Sequence, residues 1–599
     1  MLMVFIIEQG ETMSEHETIQ ETQHAMLVVW GQYAHCLGIP QAFAQVPLSQ
    51  KTVEHSPQSK VLELLVAQLA GLEYLKDISL AANPLDQDEA TAQAWGQTGW
   101  ADYSGVSRTL SALTDAEAAQ FGVIVDQATQ ALLDSEVQLA LAAGPLVLDG
   151  DLTPRPVSNS STSYPEASYG YMAGQLQLGY QAAVVTLSSP TYGRLGLSAC
   201  RHTGKTVSMT QAEALTLAAE RRLGRRPLRR TDLLHQRIAQ RETEQQQRQK
   251  QVAAAQACLH AAEEQLAQVA ATLATLQSEL HQCEADYAAK ERAEKPHSQL
   301  AQVRHQAETW HKRQLRVQNQ VNKAHDWHTR QCQRLSAWEQ ETAELSQRWQ
   351  RFEAENAANP NPIQAILRLD AGFGTGSNLA LLIEMGYEIY SKPYGTWLSG
   401  LLAQISAECR ADWQTVGKNA EMLAWNAVTL ADFPYPLDLG YARFWQGQAE
   451  GQPKLAFSGL LHFGATCVTE DLPAWFHDYN ARQTIEAGNK EARQVFQAHH
   501  IKVRALPAMR LQEHFALFCA NFVRFAAHWL AAQCPQVPDG WQVSQAPRVK
   551  KQVRVGAHAP AYVQWYGKDC LLRFKECSVF VGRSFFVKRQ IAIQLTLRI

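Results

Sequence analysis

Between residues 235 and 359 the apolar side chains fall on two stripes that only long helices can bury. Ala255, Leu259, Ala262, Leu266, Val269, Leu273, Leu276, Leu280, Cys283 and Tyr287 follow one another at alternating steps of four and three, the a/d seam of a coiled coil. Lys295-Pro296-His297 then breaks the helix, because proline lacks an N–H and clashes with the preceding turn. A second seam runs through Leu300, Val303, Ala307, Trp310, Val317, Val321, Ala324, Leu335, Trp338, Leu345, Trp349 and Phe352, interrupted at Gln314, His328 and Gln331. Two such helices joined by a short turn have to fold back antiparallel to cover each other's stripe. A hairpin of this kind leaves a domain and returns to it at one place, so it is expected to be an insertion that prolongs a helix of that domain. At about a fifth of the chain, it does not make the whole protein a structural coiled coil.

The chain returns into residues 366–378, I-L-R-L-D-A-G-F-G-T-G-S-N. An apolar run ends on Asp370 and breaks into a glycine-rich turn; residues 379–385 are apolar and helix-forming, and residues 387–390 alternate like a second strand. A strand, turn, helix, strand order is the unit of a parallel sheet, and ligands gather at the carboxyl ends of such strands. Two chemistries fit. D-x-G-x-G-x-G after a strand resembles the first motif of Rossmann-type methyltransferases, which calls for an acid at the end of the next strand to take ribose hydroxyls. The chain runs instead into Ser391-Lys392-Pro393. The other chemistry is metal-dependent phosphoryl transfer, with Asp370 as one of three carboxylates gathered from distant parts of the chain.

Two further segments supply the remaining acids. Leu146-Val147-Leu148-Asp149-Gly150-Asp151-Leu152-Thr153 reads as an apolar strand with both aspartates on one face, since strand side chains repeat every second residue. Farther on, Tyr479, Arg482 and Glu486 stand at i, i+3 and i+7, one face of a single helix, so that phenol, guanidinium and carboxylate point together. An intrahelical ion pair of Arg482 with Glu486 is the plainer alternative.

With these blocks in this order the chain resembles the DDE transposases of bacterial insertion sequences, in the cut-and-paste branch with a Y-x2-R-x3-E-x6-K signature. Tyr479, Arg482 and Glu486 match that spacing, and Arg493 stands where the family has lysine. The run L-D-A-G-F-G-T-G-S-N is similar to the second-aspartate strand of these enzymes, and D-L-T at 151–153 to the first, so the resemblance spans residues 146–529 with one large interruption. It implies a ribonuclease-H-like catalytic domain in which Asp151, Asp370 and Glu486 hold Mg²⁺, with Mn²⁺ able to substitute. It also implies that Arg482 and Arg493 neutralise phosphate charge, that Tyr479 donates a hydrogen bond nearby and that Lys490 contacts the DNA backbone. The D-x-T setting favours Asp151 over Asp149 as the first acid, with Asp149 the alternative.

The rest of the chain is read around this core. At 599 residues it is too long for one hydrophobic core and is expected to hold three or four domains. No uninterrupted apolar stretch reaches the roughly 18–20 residues of a membrane span. The apolar opening, residues 1–7, lacks a basic leader and is followed by acids, so no secretory signal is expected, and Met13 is an alternative start. Eleven cysteines without a C-x-x-C pair read as reduced thiols of a cytoplasmic protein. A net charge of −4 does not argue against nucleic acid where basic residues cluster. They do so at Arg221, Arg222, Arg225, Arg226, Arg229 and Arg230, read as a phosphate-tracking patch, with a solvated turn as the alternative.

Residues 103–110 resemble a turn leading into the second helix of a helix-turn-helix, where Ser107 and Arg108 at a helix start would meet DNA; a plain helical bundle is the alternative. Residues 181–187 and 195–201 are expected to follow the Asp151 strand as a meander. Trp445 and Trp475 are candidates for stacking a flipped base, with buried packing favoured for both.

The expected organisation is an α/β ribonuclease-H-like catalytic core with an inserted antiparallel coiled-coil hairpin, a β-rich insertion and an α-helical N-terminal domain. Its boundaries are a DNA-binding domain over 1–140, catalytic segments over 141–232, 361–393 and 471–533, the hairpin over 233–360, the β-rich insertion over 394–470 and a basic C-terminal module over 534–599. The expected function is a transposase that cuts the ends of its element and joins them to target double-stranded DNA. It is expected to act as a homodimer in the DNA complex, nucleoid-associated in the cytoplasm, with no membrane partner. The alternative is a catalytically inactive or domesticated DNA-binding descendant.

Overall fold

Apolar runs bounded by turn residues build the centre of the chain as strands, because β-branched and leucine-rich segments of this length bury both faces of a pleated sheet. The computed structural model describes residues 19–589, except residues 53, 161–163, 173, 291–296, 396–397, 409–412, 431–432, 447–453, 534–545 and 577–582. The strands among the described residues are β1 (Ile19–Thr22), β2 (Leu146–Pro156), β3 (Ser168–Met172), β4 (Gln175–Ser189), β5 (Gly193–Thr203), β6 (Ala365–Arg368), β7 (Glu388–Ser391), β8 (Gln414–Gly417), β9 (Ala420–Val428), β10 (Leu437–Gln446), β11 (Lys454–Phe463), β12 (Ala561–Tyr566), β13 (Asp569–Phe574) and β14 (Ser584–Val587). The chain divides into two compact units, one of residues 1–228 with 361–599 and one of residues 229–360.

The first unit is mixed α/β around a ten-stranded sheet in the order β3-β4-β2-β6-β7-β11-β10-β9-β8, with β5 also paired to β4. β2, β4 and β5 form an antiparallel meander, while β6 and β7 run parallel to β2 beside it. The strand that carries Asp149 and Asp151 is therefore central, with the strand leading to Asp370 as its parallel neighbour. Between β6 and β7 lies the helix Gly376–Glu384, whose first turn is capped by Thr375.

The helix Leu506–Gln533 packs on the β5 side. Its apolar character would suit a membrane span by length and composition, but 72% of the qualifying window is buried in the fold. A register shift that leaves Leu197 unpaired interrupts the β4–β5 ladder beside Gly196, and the side-chain amide of Asn521 serves both backbone groups of that glycine, accepting from Gly196 N at 2.9 Å and donating to Gly196 O at 2.8 Å. Buried backbone groups released by a bulge need such a partner.

Three boundaries differ from the sequence reading. The N-terminal helices do not form a separate compact unit: Tyr33 of helix Ala25–Cys36 stacks near Phe522 and Trp529, with ring centroids 5.2 and 5.0 Å away, and Gln68 donates to Gln512 O. The long apolar helix needs cover on the side away from the sheet, and these residues give it. Residues 394–470 are not a separate insertion either, since β11 pairs antiparallel with β7 and β10, β9 and β8 extend the same sheet. The C-terminal strands form a four-stranded sheet with the other end of the chain, in the order β1-β12-β13-β14. The expected opening segment 1–7, Met13 and the Pro296 break lie outside the described residues.

The second unit is the long helical pair Thr231–Ala289 and His297–Ala357. Each helix is about 90 Å long at 1.5 Å per residue. Arg304 pairs with Glu284, Gln245 with Glu339 and Arg241 with Glu341, so one helix descends as the other climbs. The seam residues are buried or half-buried and their neighbours mostly exposed. Gln314, His328 and Gln331 are half-buried at seam positions, so they are polar members of the stripe and do not break it. Arg241 and Arg248 lie over the two sides of Trp338, 3.6 and 3.8 Å from the ring centroid, a cation–π arrangement that covers a ring too wide for a leucine position.

In the first unit the chain ends that carry this pair are already joined: Pro227 and Ile363 form a parallel bridge, and Ile363 N donates to Arg226 O at 3.2 Å. Replacing residues 229–360 by a short glycine-serine turn is therefore expected to leave the first unit folded, with a single cooperative melt and the same β signal in circular dichroism. Loss of that transition would show that the unit needs the helical pair.

Candidate active site

Asp149 sits opposite Arg368 in the parallel register of β2 and β6. An arginine in a buried strand has to find a carboxylate, and this one donates from Nε to Asp149 Oδ1 at 2.6 Å and from Nη2 to Oδ2 at 2.9 Å. Nη1 of the same guanidinium donates to Asp478 O at 2.7 Å, holding the last turn of the helix Leu472–Asn480 that carries Tyr479. Asp149 is 1% exposed, and Thr484 Oγ1 adds a long bond of 3.4 Å. Asp149 is thus committed to the fold, and Asp151 is the acid left to face the site.

Two residues beyond this pair, where the parallel pairing of β2 and β6 has ended, come Asp151, in the middle of β2, and Asp370, just past the end of β6. Gly150 lies between the two aspartates because a Cβ there would meet Leu369 and Leu215 at 2.8 and 3.2 Å. Asp370 caps its own turn, accepting from Gly372 N at 3.0 Å. A Cβ on Gly374 would stand 1.8 Å from Lys392 O; glycine there lets the loop after β7 close onto the Asp370 turn. That close approach brings the Lys392 ammonium beside Asp370 and over the Tyr479 ring, 5.4 Å from its centroid.

Tyr479, Arg482 and Glu486 do not share one helix. Tyr479 ends the helix Leu472–Asn480, Arg482 is the N-cap of Gln483–Gln494, and Glu486 lies in the first turn of that second helix. The break alters the presentation. Tyr479 is buried and donates to Leu369 O at 3.3 Å, Arg482 turns inward, and Glu486 stays 53% exposed at 4.0 Å from Arg482. Asn489, three residues on, donates to Asp151 Oδ2 at 2.6 Å.

The charges report the same convergence. Burial pushes the Asp151 carboxyl up to about 6; the nearby charge of Asp370 adds to the rise, Arg482 opposes it, and Glu486 raises it slightly. Burial likewise raises Asp370, against Arg482 and two backbone N–H groups. Arg482 is the cation among these acids: despite its burial, Tyr479, Asp151, Asp370 and Asp149 hold its proton more firmly than usual. Its Nη1 is buried with no hydrogen-bond partner. Burial, followed by the charge of Arg482, lowers Lys392. Burial pushes Tyr479 up to about 12, so the phenol keeps its proton near neutrality.

Among the described residues, no three His, Cys, Asp or Glu side chains stand close enough together to hold a metal ion. Asp151 and Asp370 converge, whereas Glu486 stands off at the rim. The donor chemistry nonetheless fits a hard divalent cation: all three are carboxylates, and the mutual repulsion of two of them would be relieved by a bound cation. Glu486 is near enough to act on the charge of Asp151, and its side chain is exposed and free to turn.

The other residues singled out in the sequence lie elsewhere. Glu486, Lys490 and Arg493 are all exposed, at the i, i+4, i+7 spacing of one helical stripe. The arginine run does not form a free cationic face. Arg222 pairs with Asp126 and bonds to Thr129 and Gln130, and Arg225 faces the Gln138 amide. Arg229 is buried against Glu355 at 2.7 Å, Arg226 and Arg230 also have partners, and Arg221 alone of the six is exposed. The carboxylates that take them come from distant segments, which a search for a neighbouring acid run does not detect. Ser107 and Arg108 lie in the middle of helix Tyr103–Ser111, whose N-cap is Asp102, so they are not at a helix start. Trp475 is a core side chain, 1% exposed, and Trp445 is half-buried beside Arg443.

Arg368, Lys392 and Asn489 are site residues that the sequence reading did not assign. Arg368 carried a signal, an arginine inside an otherwise apolar strand. Lys392 stands where an acid was sought and a cation found. No protein-family model and no curated protein matches the sequence.

Removing one member of a buried pair leaves the other uncompensated, at a cost of about 3–5 kcal/mol. Arg368→Met is therefore expected to lower stability by about that amount in urea unfolding at pH 7, and a loss below about 1 kcal/mol would contradict the pairing. Asp151 behaves oppositely. Its folded pKa of about 6 lies above the ordinary 3.8, so the folded state holds the extra proton and stability is lost as pH rises through that window. Asp151→Asn is expected to be more stable than the parent at pH 7, with the advantage closing as pH falls below about 4.

Proposed function

We propose that the chain is a DDE-type DNA transposase with a ribonuclease-H-like catalytic core, acting on double-stranded DNA by phosphodiester hydrolysis and transesterification. The observation that carries this reading is that Asp151 of β2 and Asp370, just past the end of the neighbouring parallel strand β6, act on each other's charge, with Arg482 interacting with both and Glu486 in the first turn of the helix that follows Arg482. The order of the five strands around them, an antiparallel meander followed by two parallel strands beside its first member, supports the ribonuclease-H-like assignment. The methyltransferase alternative loses support from Lys392, a cation where the ribose would need an acid.

Asp151, Asp370 and Glu486 would hold Mg²⁺, or Mn²⁺ in its place, which when bound would supply Lewis-acid stabilisation of the scissile phosphate and activation of water or a 3′ hydroxyl. The protein's own residues do the rest. Arg482 would neutralise a phosphate oxygen, and a charge-assisted hydrogen bond from its guanidinium is strong because the site is half-buried. Lys392 adds a second positive charge beside Asp370. Tyr479 keeps its proton and fixes the Asp370 strand end through Leu369 O. Arg368, through its pair with Asp149, fixes β6 against β2, Asn489 positions Asp151, and Lys490 and Arg493 offer an exposed stripe for the DNA backbone.

The stand-off of Glu486 is the one observation that favours a catalytically inactive DNA-binding descendant. Metal-dependent nicking of a labelled duplex carrying the DNA that flanks the gene separates the two. Asp151→Asn, Asp370→Asn and Glu486→Gln are each expected to lower the nicking rate by about a thousandfold or more. Salt-sensitive binding of the duplex without any cleavage by the parent chain would favour the inactive binder.

Lys392→Ala is expected to slow the same reaction by about a hundredfold and Arg493→Ala by less than about tenfold, since only the first lies among the acids. The reverse order would return the signature cation to Arg493.

A further inference from the structure

Six charged side chains lie in the interior behind the helix Gln483–Gln494. Arg155 comes from β2, Arg194 and Arg201 from β5, Glu491 from that helix, and Glu513 and Arg524 from the helix Leu506–Gln533; none is more than 9% exposed. Glu513 accepts from Arg155 Nη2 and Arg201 Nη2, both at 2.7 Å. Glu491 Oε2 accepts from Arg194 Nη2 at 3.0 Å and Arg524 Nη2 at 2.7 Å. The group therefore holds four cations and two anions, and uncompensated buried charge costs several kcal/mol per ion.

Among these side chains lies a cavity of about 30 Å³, lined by Arg155, Arg194, Glu491, Glu513, Arg524 and Thr186 with their neighbours. Two donors on its wall, Arg524 Nε and Thr186 Oγ1, are buried without an acceptor, and Glu491 Oε1 is buried without a donor. The volume suits about two water-sized occupants and not a tetrahedral oxyanion.

We propose that this cavity binds one small monovalent inorganic anion of the chloride class, with a water beside it. The anion accepts from Arg524 Nε and Thr186 Oγ1 and offsets the excess of guanidinium charge, while the water donates to Glu491 Oε1. The site does not depend on the transposase reading. It does bear on the same helix: Glu491 lies five residues after Glu486 and two after Asn489, which bonds to Asp151. Occupancy therefore ties the back of that helix to the core.

The test is thermal unfolding of the full chain at fixed ionic strength, with sodium gluconate replaced stepwise by sodium chloride or bromide. A bound anion raises Tm saturably by mass action. In Thr186→Val, which removes one donor and keeps every charge, half-saturation is expected to move to about tenfold higher halide. A Tm indifferent to halide, or a halide response identical in the two proteins, overturns the site. Crystals of the unmodified protein grown in bromide give a measurement that does not rely on the variant folding. An anomalous peak within bonding distance of Arg524 Nε and Thr186 Oγ1 is expected, and its absence overturns the site.

Discussion

The bidentate pair of Arg368 with Asp149 sets the register on which the rest of the site depends. In a strand pair a slip of one residue turns every side chain to the other face, and here it would send Asp151 and Asp370 to opposite sides of the sheet. A buried guanidinium opposite a buried carboxylate prevents that slip, because any other register leaves both charges unpaired in the interior. The same guanidinium reaches Asp478 O and so places the end of the helix Leu472–Asn480, which carries Tyr479 and leads to Arg482. One ion pair thus aligns two strands and the helix that closes over them.

Beyond that pair, buried charge organises the site in layers. Arg482 stands among Asp149, Asp151 and Asp370, and Lys392 also acts on Asp370. On the far face of the same helix, Glu491 and Glu513 are outnumbered by four arginines. The helix that presents Glu486 is therefore held between an acid-rich front and a guanidinium-rich back. Its outer stripe, with Glu486, Lys490 and Arg493, is the part left to solvent.

Much of this was legible in the sequence because periodicity and punctuation report local structure directly. The heptad seams on both sides of Pro296 correspond to the paired long helices, and the two acid-tipped apolar runs to β2 and to the turn after β6. Tertiary pairing was not legible. The arginines at 222 and 229 looked free because Asp126 and Glu355 lie about a hundred residues away in the sequence. The spacing of Tyr479, Arg482 and Glu486 suits one helix, yet the chain breaks after Asn480, which turns the phenol inward and leaves the glutamate outside. Residues 394–470 looked like an insertion because alternating strands carry no mark of which sheet they join, and only the pairing of β11 with β7 decides it. Lys392 was visible as a missing acid, but its contact with Asp370 depends on the close approach that Gly374 permits.

The central claim is that Asp151 and Asp370 form one anionic site that accepts a divalent cation alongside Arg482. Electron paramagnetic resonance of free Mn²⁺ titrated with the full chain tests it without requiring a DNA substrate or turnover. The signal of free Mn²⁺ should fall as the ion binds, and both Asp151→Asn and Asp370→Asn should abolish that binding while Asp149→Asn, once shown to be folded, retains it. Mn²⁺ binding that survives in Asp151→Asn and Asp370→Asn, or that is lost only with Asp149, would contradict the assignment of the site.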